Sequence, residues 1–196
     1  MATTAGRRRD PEVDRKVTDA AIALYGECGW AGFSIEAVAR ASGAGKASIY
    51  LRWPSREALL VDALTSRIAP VTEVDTGNVR DDLLGLARQM LDLYLGDAGR
   101  AALRMGLEAE GIPAVDGPWQ ALRASQSSAA RALVRRAIDR GELPSETPVT
   151  MLLDTLCGGA MMHVMATPAD LRERLAADPG EFAARLVDFL LAAVNR

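Results

Sequence analysis

The sequence predicts an all-α fold, and three observations carry that reading. Alanine and leucine abound, while aromatic residues make up only 5% of the 196 positions, a balance that favours helix over sheet. No run of β-branched residues has the composition of a buried strand. Apolar residues instead return every three or four positions between capping residues, glycines and prolines, the pattern of successive amphipathic helices.

Met1 to Arg9 carries Arg7, Arg8 and Arg9 and reads as a disordered basic tail. Two uses stay open for it: contact with phosphates or a minor groove, or simple solvation. Asp10 and Pro11 open the first helix as cap and first helical residue. Val13, Val17, Ala20, Ala21, Leu24 and Cys28 form its apolar face, and Gly29 ends it. Trp30 and Phe33 are expected in the core. Ser34 N-caps a short helix with Ile35, Val38 and Ala39 on one stripe, because its hydroxyl can accept from an unpaired first-turn amide. Gly43 closes that helix by taking the positive φ a turn requires. Gly45 to Leu51 makes a helix of barely two turns with Ile49 inward. Pro54 disfavours helix at Trp53, and Ser55 caps a further helix that runs to Ile68 and stops at Ala69-Pro70.

Val71 to Gly77 clusters Pro-, Thr-, Asp- and Gly-type linker chemistry around Pro70, and the domain boundary is placed there, between 10–70 and 71–196. A helix from Asn78 carries Leu83, Leu84, Ala87, Met90, Leu91 and Tyr94 on one face, and Ala98 to Glu110 makes the next. Gly111 to Gly117 is a break. Trp119 to Arg140 is a long amphipathic helix with Trp119, Leu122, Ala129, Ala130, Leu133, Ala137 and Ile138 inside, closed by Gly141. The helix opened by Thr147-Pro148 is nearly apolar all round through Met165, so it must be covered on more than one side. A short helical piece follows near Leu171 to Ala176. Asp178-Pro179 then opens the last helix, which carries Phe182, Leu186, Val187, Phe189, Leu190 and Val194.

Two short helices joined by a glycine turn make a helix-turn-helix candidate, whose second helix would enter a DNA major groove. The residues sharpen this. The string from Ala41 to Leu59, with Ala41, Gly43, Gly45, Ile49, Tyr50, Trp53, Arg56 and Leu59 at its key places, resembles the DNA-binding signature of the TetR family of bacterial repressors. The resemblance extends back through Ala21, Leu24, Tyr25, Gly29, Trp30, Ser34, Ile35, Val38 and Ala39 and covers about the first third of the chain. One departure is Gly45, where the family usually has Ser, so a hydroxyl contact is missing.

The resemblance implies a double-stranded DNA operator as partner, with residue roles that follow the motif. Ser34 is expected at a phosphate, and Lys46, Ala47 and Ser48 at base edges or adjacent phosphates. Tyr50 is expected to donate to phosphate, and Arg52 and Arg56 either reach phosphates or are merely solvated. Trp53 is expected in the core. It also implies a homodimer through the last two long helices, with Met151, Leu156, Gly159, Leu186, Phe189 and Leu190 as interface candidates. Finally, it implies a small-molecule inducer in a pocket of the second domain. Met90, Tyr94, Met105, Trp119, Leu122, Leu156 and Met161 are its apolar candidates, with Gln126, Ser127 and His163 as polar ones, and plain core is the commoner role for each such residue. A methionine-rich wall suits a lipophilic ligand.

Net charge is −3, but it is unevenly placed. Residues 1–56 hold nine basic against six acidic side chains, and the other 140 hold fourteen against twenty. A basic front on an acidic body fits a DNA reader with a separate second domain. Cys28 and Cys157 are too few for a disulfide framework or a zinc site, so a reducing cytoplasm is expected, with no metal and no cofactor. No signal peptide and no membrane span are expected. An enzyme is not expected, because His163 is the only histidine and no nucleophile elbow, phosphate loop or metal-spaced cluster occurs. The rival to a DNA-binding regulator is a helical ligand-binding or interaction module that does not read an operator.

Overall fold

The computed structural model describes residues 11–68, 71 and 75–194, and these form ten α-helices with no strand among them. They are α1 (Pro11–Gly32), α2 (Ile35–Ser42), α3 (Lys46–Tyr50), α4 (Arg56–Arg67), α5 (Val79–Leu95), α6 (Asp97–Glu108), α7 (Asp116–Asp139), α8 (Val149–Ala166), α9 (Ala169–Ala177) and α10 (Pro179–Val194). A single 3-10 turn, Ala109–Gly111, links α6 to α7. The fold class is therefore all-α. The basic tail at 1–9, the Asp10 cap, the helix stop at 69–70 and residues 72–74 of the linker lie outside the described residues.

Local chemistry sets the element ends. Ser34, Ser55 and Asn78 each accept from the backbone amide three residues on, at 3.2, 3.2 and 3.1 Å, which occupies one of the unpaired donors at each helix start. Gly43 takes φ 70° after α2, the left-handed turn that brings α3 across it. The break expected over 111–117 is shorter than anticipated, because α7 begins at Asp116, three residues ahead of Trp119.

Two hydrophobic cores form, and they do not follow the chain boundary near residue 70. The first joins α1 to α4 (Val17, Tyr25, Phe33, Ile35, Val38, Ile49, Trp53, Leu59, Leu60) to Ala101, Met105, Ile112, Val115 and Trp119 of α6, the 3-10 turn and early α7. The second joins α5, the later part of α7, α8 and α10 through Leu83, Leu86, Leu91, Leu133, Val134, Leu152, Leu156, Val187 and Leu190. The helix α7 is thus shared, its first turns in one core and its last turns in the other.

The seam between α1 and α6 is polar as well as apolar. Gly29 takes φ 65° and kinks α1. Just there, the Glu108 carboxylate accepts from the Trp30 amide at 2.9 Å and the Tyr25 hydroxyl at 3.1 Å. Arg104 donates to the carbonyls of Gly26 at 2.9 Å and Glu27 at 3.0 Å. Burial, and then the neighbouring Glu108 carboxylate, push the Tyr25 phenol well above its ordinary range, so it remains a donor. At the other end, fully buried Asp82 accepts from the Thr76 amide and hydroxyl at 2.7 and 2.8 Å and from Arg140 at 3.2 Å. A buried carboxylate with that many donors is satisfied, and it ties the start of α5 to the end of α7.

One helix departs from the expectation of no membrane-length segment. Val149–Ala166 has 18 residues and a mean hydropathy of 1.4, long and apolar enough by those measures alone to cross a bilayer. It carries Asp154, and its inner side, Leu152, Leu153, Leu156, Ala160 and Val164, is packed in the second core.

Gly29 generates the first prediction. A Cβ there would lie 2.7 Å from Glu108 Oε1 and would have to hold positive φ. Gly29→Ala is expected to lower the unfolding free energy by about 2 kcal/mol, read from the denaturant midpoint. No shift in that midpoint would show that the α1 kink is not under the constraint described.

Candidate DNA-reading surface and ligand cavity

The helices α2 and α3 pack at a turn, with Ile35, Val38 and Ile49 buried, which leaves Glu36, Lys46, Ala47 and Tyr50 on the outer face. Lys46, the first residue of α3, is half-exposed and ion-pairs with Glu36 in the first turn of α2. Its ammonium also lies 5.7 Å from the centre of the Tyr50 ring. The Lys46 contact holds the Glu36 carboxyl below the usual carboxylate range, and Glu36 raises Lys46 in turn. Tyr50 is 44% exposed, with its ring on the surface. Ser34 uses its hydroxyl oxygen as the α2 cap. Gly45 caps α3 with no side-chain hydrogen bond, as its lack of a hydroxyl requires.

The two arginines, expected either to reach phosphates or to be merely solvated, are both engaged within the chain. Arg52 ion-pairs with Asp14 of α1 and donates to the carbonyl of Ser48 at 3.1 Å and to its hydroxyl. Both partners of the Arg52–Asp14 pair keep a fifth or less of their side-chain surface, so it braces α3 against α1. Arg56 stacks 3.8 Å from the centre of the Trp30 ring and donates to the Phe33 carbonyl at 3.1 Å. Its guanidinium therefore holds the α1–α2 corner. Trp53 is buried and donates from Nε1 to Asp62 at 2.8 Å.

At the second core, α5, α7 and α8 line a half-open cavity of about 190 Å³. Leu86 and Met90 of α5, Ala130 of α7 and Leu153 of α8 supply apolar wall, and Gln126, Ser127, Thr150 and Asp154 supply polar groups. Arg123 and Arg131 lie at its α7 edge, one helical turn either side of Ser127. Cys157 forms part of the wall, and burial pushes its thiol up to about 11.

Of the expected lining residues, Met90, Gln126 and Ser127 border this cavity. Met105, Trp119 and Leu122 do not, because α6 and early α7 turn into the first core instead. Leu156 is fully buried in the second core, and Tyr94 packs against that core. Met161 is partly exposed on α8. His163 stacks on Phe182 of α10 with rings 3.6 Å apart and 6° from parallel, and burial lowers its pKa. It joins α8 to α10 and does not face the cavity.

The dimer candidates also divide. Met151 and Phe189 are 67% and 69% exposed, so α8 and α10 do present apolar surface. Leu156 and Leu190 are buried within the subunit and are corrected as interface candidates, since the helical phase points them inward. Gly159 faces Leu186, whose Cδ1 would lie 3.3 Å from an added Cβ, so this close approach is between α8 and α10 of one chain. Sequence reasoning missed Met162 and Met165, both exposed on α8, and Glu36 beside Lys46. A Glu two residues after the Ser34 cap was the available signal for the last.

This arrangement, a solvent-facing helix-turn-helix on a larger helical body with its own cavity, defines a helix-turn-helix DNA-binding protein. Comparison with known proteins agrees. Residues 17–63 match the family model described as bacterial regulatory proteins, tetR family, and residues 73–190 match the tetracyclin repressor-like C-terminal domain. The HTH-type transcriptional regulator AqdR of Rhodococcus erythropolis is 32% identical over 153 residues, which is 78% of this chain and 73% of that protein. Among solved structures, MexZ, described as a key repressor responsible for antibiotic resistance in Pseudomonas aeruginosa, aligns with TM-score 0.71 and 22% identity, over 94% of this chain and 96% of that one. FadR from Bacillus subtilis in complex with stearoyl-CoA aligns with TM-score 0.67 and 15% identity, over 90% and 97%. The chain belongs to the TetR family. It is a DNA-binding transcriptional regulator and not an enzyme.

Arg52→Ala is expected to lower stability by about 1–2 kcal/mol through loss of the largely buried Asp14 pair. Tyr50→Phe is expected to leave thermal stability unchanged; equal midpoints for Arg52→Ala and wild type would place Arg52 among solvated residues. With a pKa of about 11, Cys157 holds roughly one thiolate in ten thousand molecules at pH 7. Iodoacetamide followed by peptide mass spectrometry should therefore label exposed Cys28 far ahead of Cys157.

Proposed function

We propose that this chain is a ligand-responsive repressor that binds a palindromic operator as a homodimer and is released by a small lipophilic ligand. It acts in the cytoplasm, with residues 10–70 reading DNA and 71–196 binding ligand and dimerising. In this reading Ser34, Lys46, Ala47, Ser48 and Tyr50 face the operator, while Arg52 and Arg56 hold the reading helices in place. Repression in preference to activation is favoured by the printed role of MexZ, a structural neighbour.

The observation that carries the ligand response is the sharing of α7. Its early residue Trp119 belongs to the core of the DNA-reading helices, and its later residues Ala130 and Leu133 belong to the core around the cavity. A ligand that fills the space between α5, α7 and α8 acts on the one helix common to both cores. Because packed cores shift between discrete arrangements, a ligand that prefers one position of α7 changes the population of DNA-competent dimers. FadR from Bacillus subtilis binds stearoyl-CoA on this same fold, which supports a ligand with apolar character. The exposed Met151, Met162, Met165 and Phe189 on α8 and α10 support the homodimer, since several large apolar side chains exposed on two neighbouring helices suit a partner surface. A two-fold pair of reading helices then matches a palindrome.

The test combines fragment selection from the source organism's sheared genome with a cavity-filled variant. At roughly 0.15 M salt, where exposed charges are screened beyond about 8 Å, wild type should enrich a pseudo-palindrome and Lys46→Ala should not. A lipophilic compound library is then screened for release of the enriched duplex by fluorescence anisotropy. Met90→Trp should retain operator binding and lose release. Enrichment of no shared sequence by ligand-free dimer would favour the helical binding module that does not read an operator.

A further inference from the structure

Among the features of the outer face, the pairing of Glu36 with Lys46 is not explained by phosphate binding. A carboxylate on a surface meant for a polyanion opposes binding, because it adds like charge where counterion release supplies the affinity. Here it is neutralised by its neighbour. Glu36 and Lys46 form an ion pair bridging the first turn of α2 and the first residue of α3, with side chains 48% and 51% exposed. Exposed ion pairs of this kind contribute little stability, so holding the fold together is a poor account of it.

The chemistry left over on the pair is specific. An ammonium has three donors, and contact with Glu36 does not use them all. An ionised carboxylate has about four lone-pair sites, and Lys46 together with the Glu36 backbone amide leaves others unused. The unit therefore presents a donor and an acceptor side by side, with no net charge. A G·C pair presents the complement in the major groove: the O6 and N7 acceptors of guanine beside the N4 amino donor of cytosine. Phosphates offer only acceptors. An A·T pair sets its amino group between two single acceptors, so a lysine there finds one acceptor where guanine offers O6 and N7 together.

We propose that Glu36 and Lys46 act as one base-reading unit that specifies a G·C pair in each operator half-site. Lys46 donates to the guanine, and Glu36 accepts from the N4 amino group of the cytosine paired with it. This rests on the operator reading above, and it adds a second reading helix, since Glu36 belongs to α2 and not to α3. It also assigns Glu36 a cost and a use: general affinity is reduced, and discrimination is gained.

The experiment is selection from a randomised duplex pool, followed by sequencing, with full-length wild type, Glu36→Ala, Glu36→Gln and Lys46→Met. Both side chains are half-exposed, so the variants should fold, and their thermal midpoints check it. Wild type should enrich a motif with one G·C pair per half-site whose preference Glu36→Ala and Lys46→Met each reduce about tenfold or more at the same position. Glu36→Gln should turn the cytosine preference to adenine, because a carboxamide presents the donor and acceptor that match adenine N7 and N6. A wild-type motif that is unchanged in both Glu36 variants, with all sequences bound more tightly, would overturn the proposal and leave Glu36 a simple electrostatic brake. Failure of wild type to enrich any motif would overturn the operator reading and this inference together.

Discussion

The Glu108 carboxylate is the contact on which the two halves of this molecule depend. It accepts from the Trp30 amide and the Tyr25 hydroxyl at the point where Gly29 kinks α1. The kink exposes backbone donors that a straight helix would have used internally, and a buried unpaired amide is costly. Glu108 supplies the missing acceptor from α6, and Arg104 of the same helix satisfies the carbonyls of Gly26 and Glu27. One helix of the body thus completes the hydrogen bonding of the first helix of the head. Beneath these polar contacts lie Tyr25, Met105 and Ala101, all fully buried, while Arg104 and Glu108 keep 41% and 32% of their side-chain surface, so the seam is a dry apolar layer edged by partly exposed hydrogen bonds.

From this seam the rest of the architecture follows in two directions. Toward DNA, α1 sets α4, and the Arg52–Asp14 pair sets α3 against α1. Arg56, between the Trp30 ring and the Phe33 carbonyl, fixes the corner where α2 begins. The two arginines therefore hold α3 and the start of α2 in position against α1. Toward the cavity, α6 runs through the 3-10 turn into α7, which leaves the first core and enters the second. Its far end is fastened to the start of α5 by Arg140, buried Asp82 and Glu142, the last accepting from the Val79 amide. The two ends of α7 are thus packed into different cores.

Much of the DNA-reading half was legible because its signals are local. Ser34 and Ser55 announce two helix starts, Gly43 the turn, and Ile35, Val38 and Ile49 the buried faces, all within a few residues of the backbone they control. The motif also carried the family, which the matched domains and the relatives establish. The side-chain roles were less legible. Nothing in the sequence distance from Arg52 to Asp14, or from Arg56 to Trp30, marks them as partners, so both arginines read only as phosphate-reaching or solvated, and the contacts within the chain came from the fold. The cavity was harder still. Met105, Trp119 and Leu122 have the same apolar periodicity as Met90, and periodicity says which residues are inside without saying inside which core.

What the sequence determined by itself was the fold class, the order and caps of the helices, and the helix-turn-helix, because each is governed by hydrogen bonds and side chains no more than a turn apart. Tertiary structure alone decided which apolar faces share a core, that Leu156 and Leu190 point inward while Met162 and Phe189 do not, and that Glu36 stands beside Lys46. These depend on the crossing of helices distant in sequence. Small changes in crossing angle and helical phase exchange inside for outside, and no local rule fixes either.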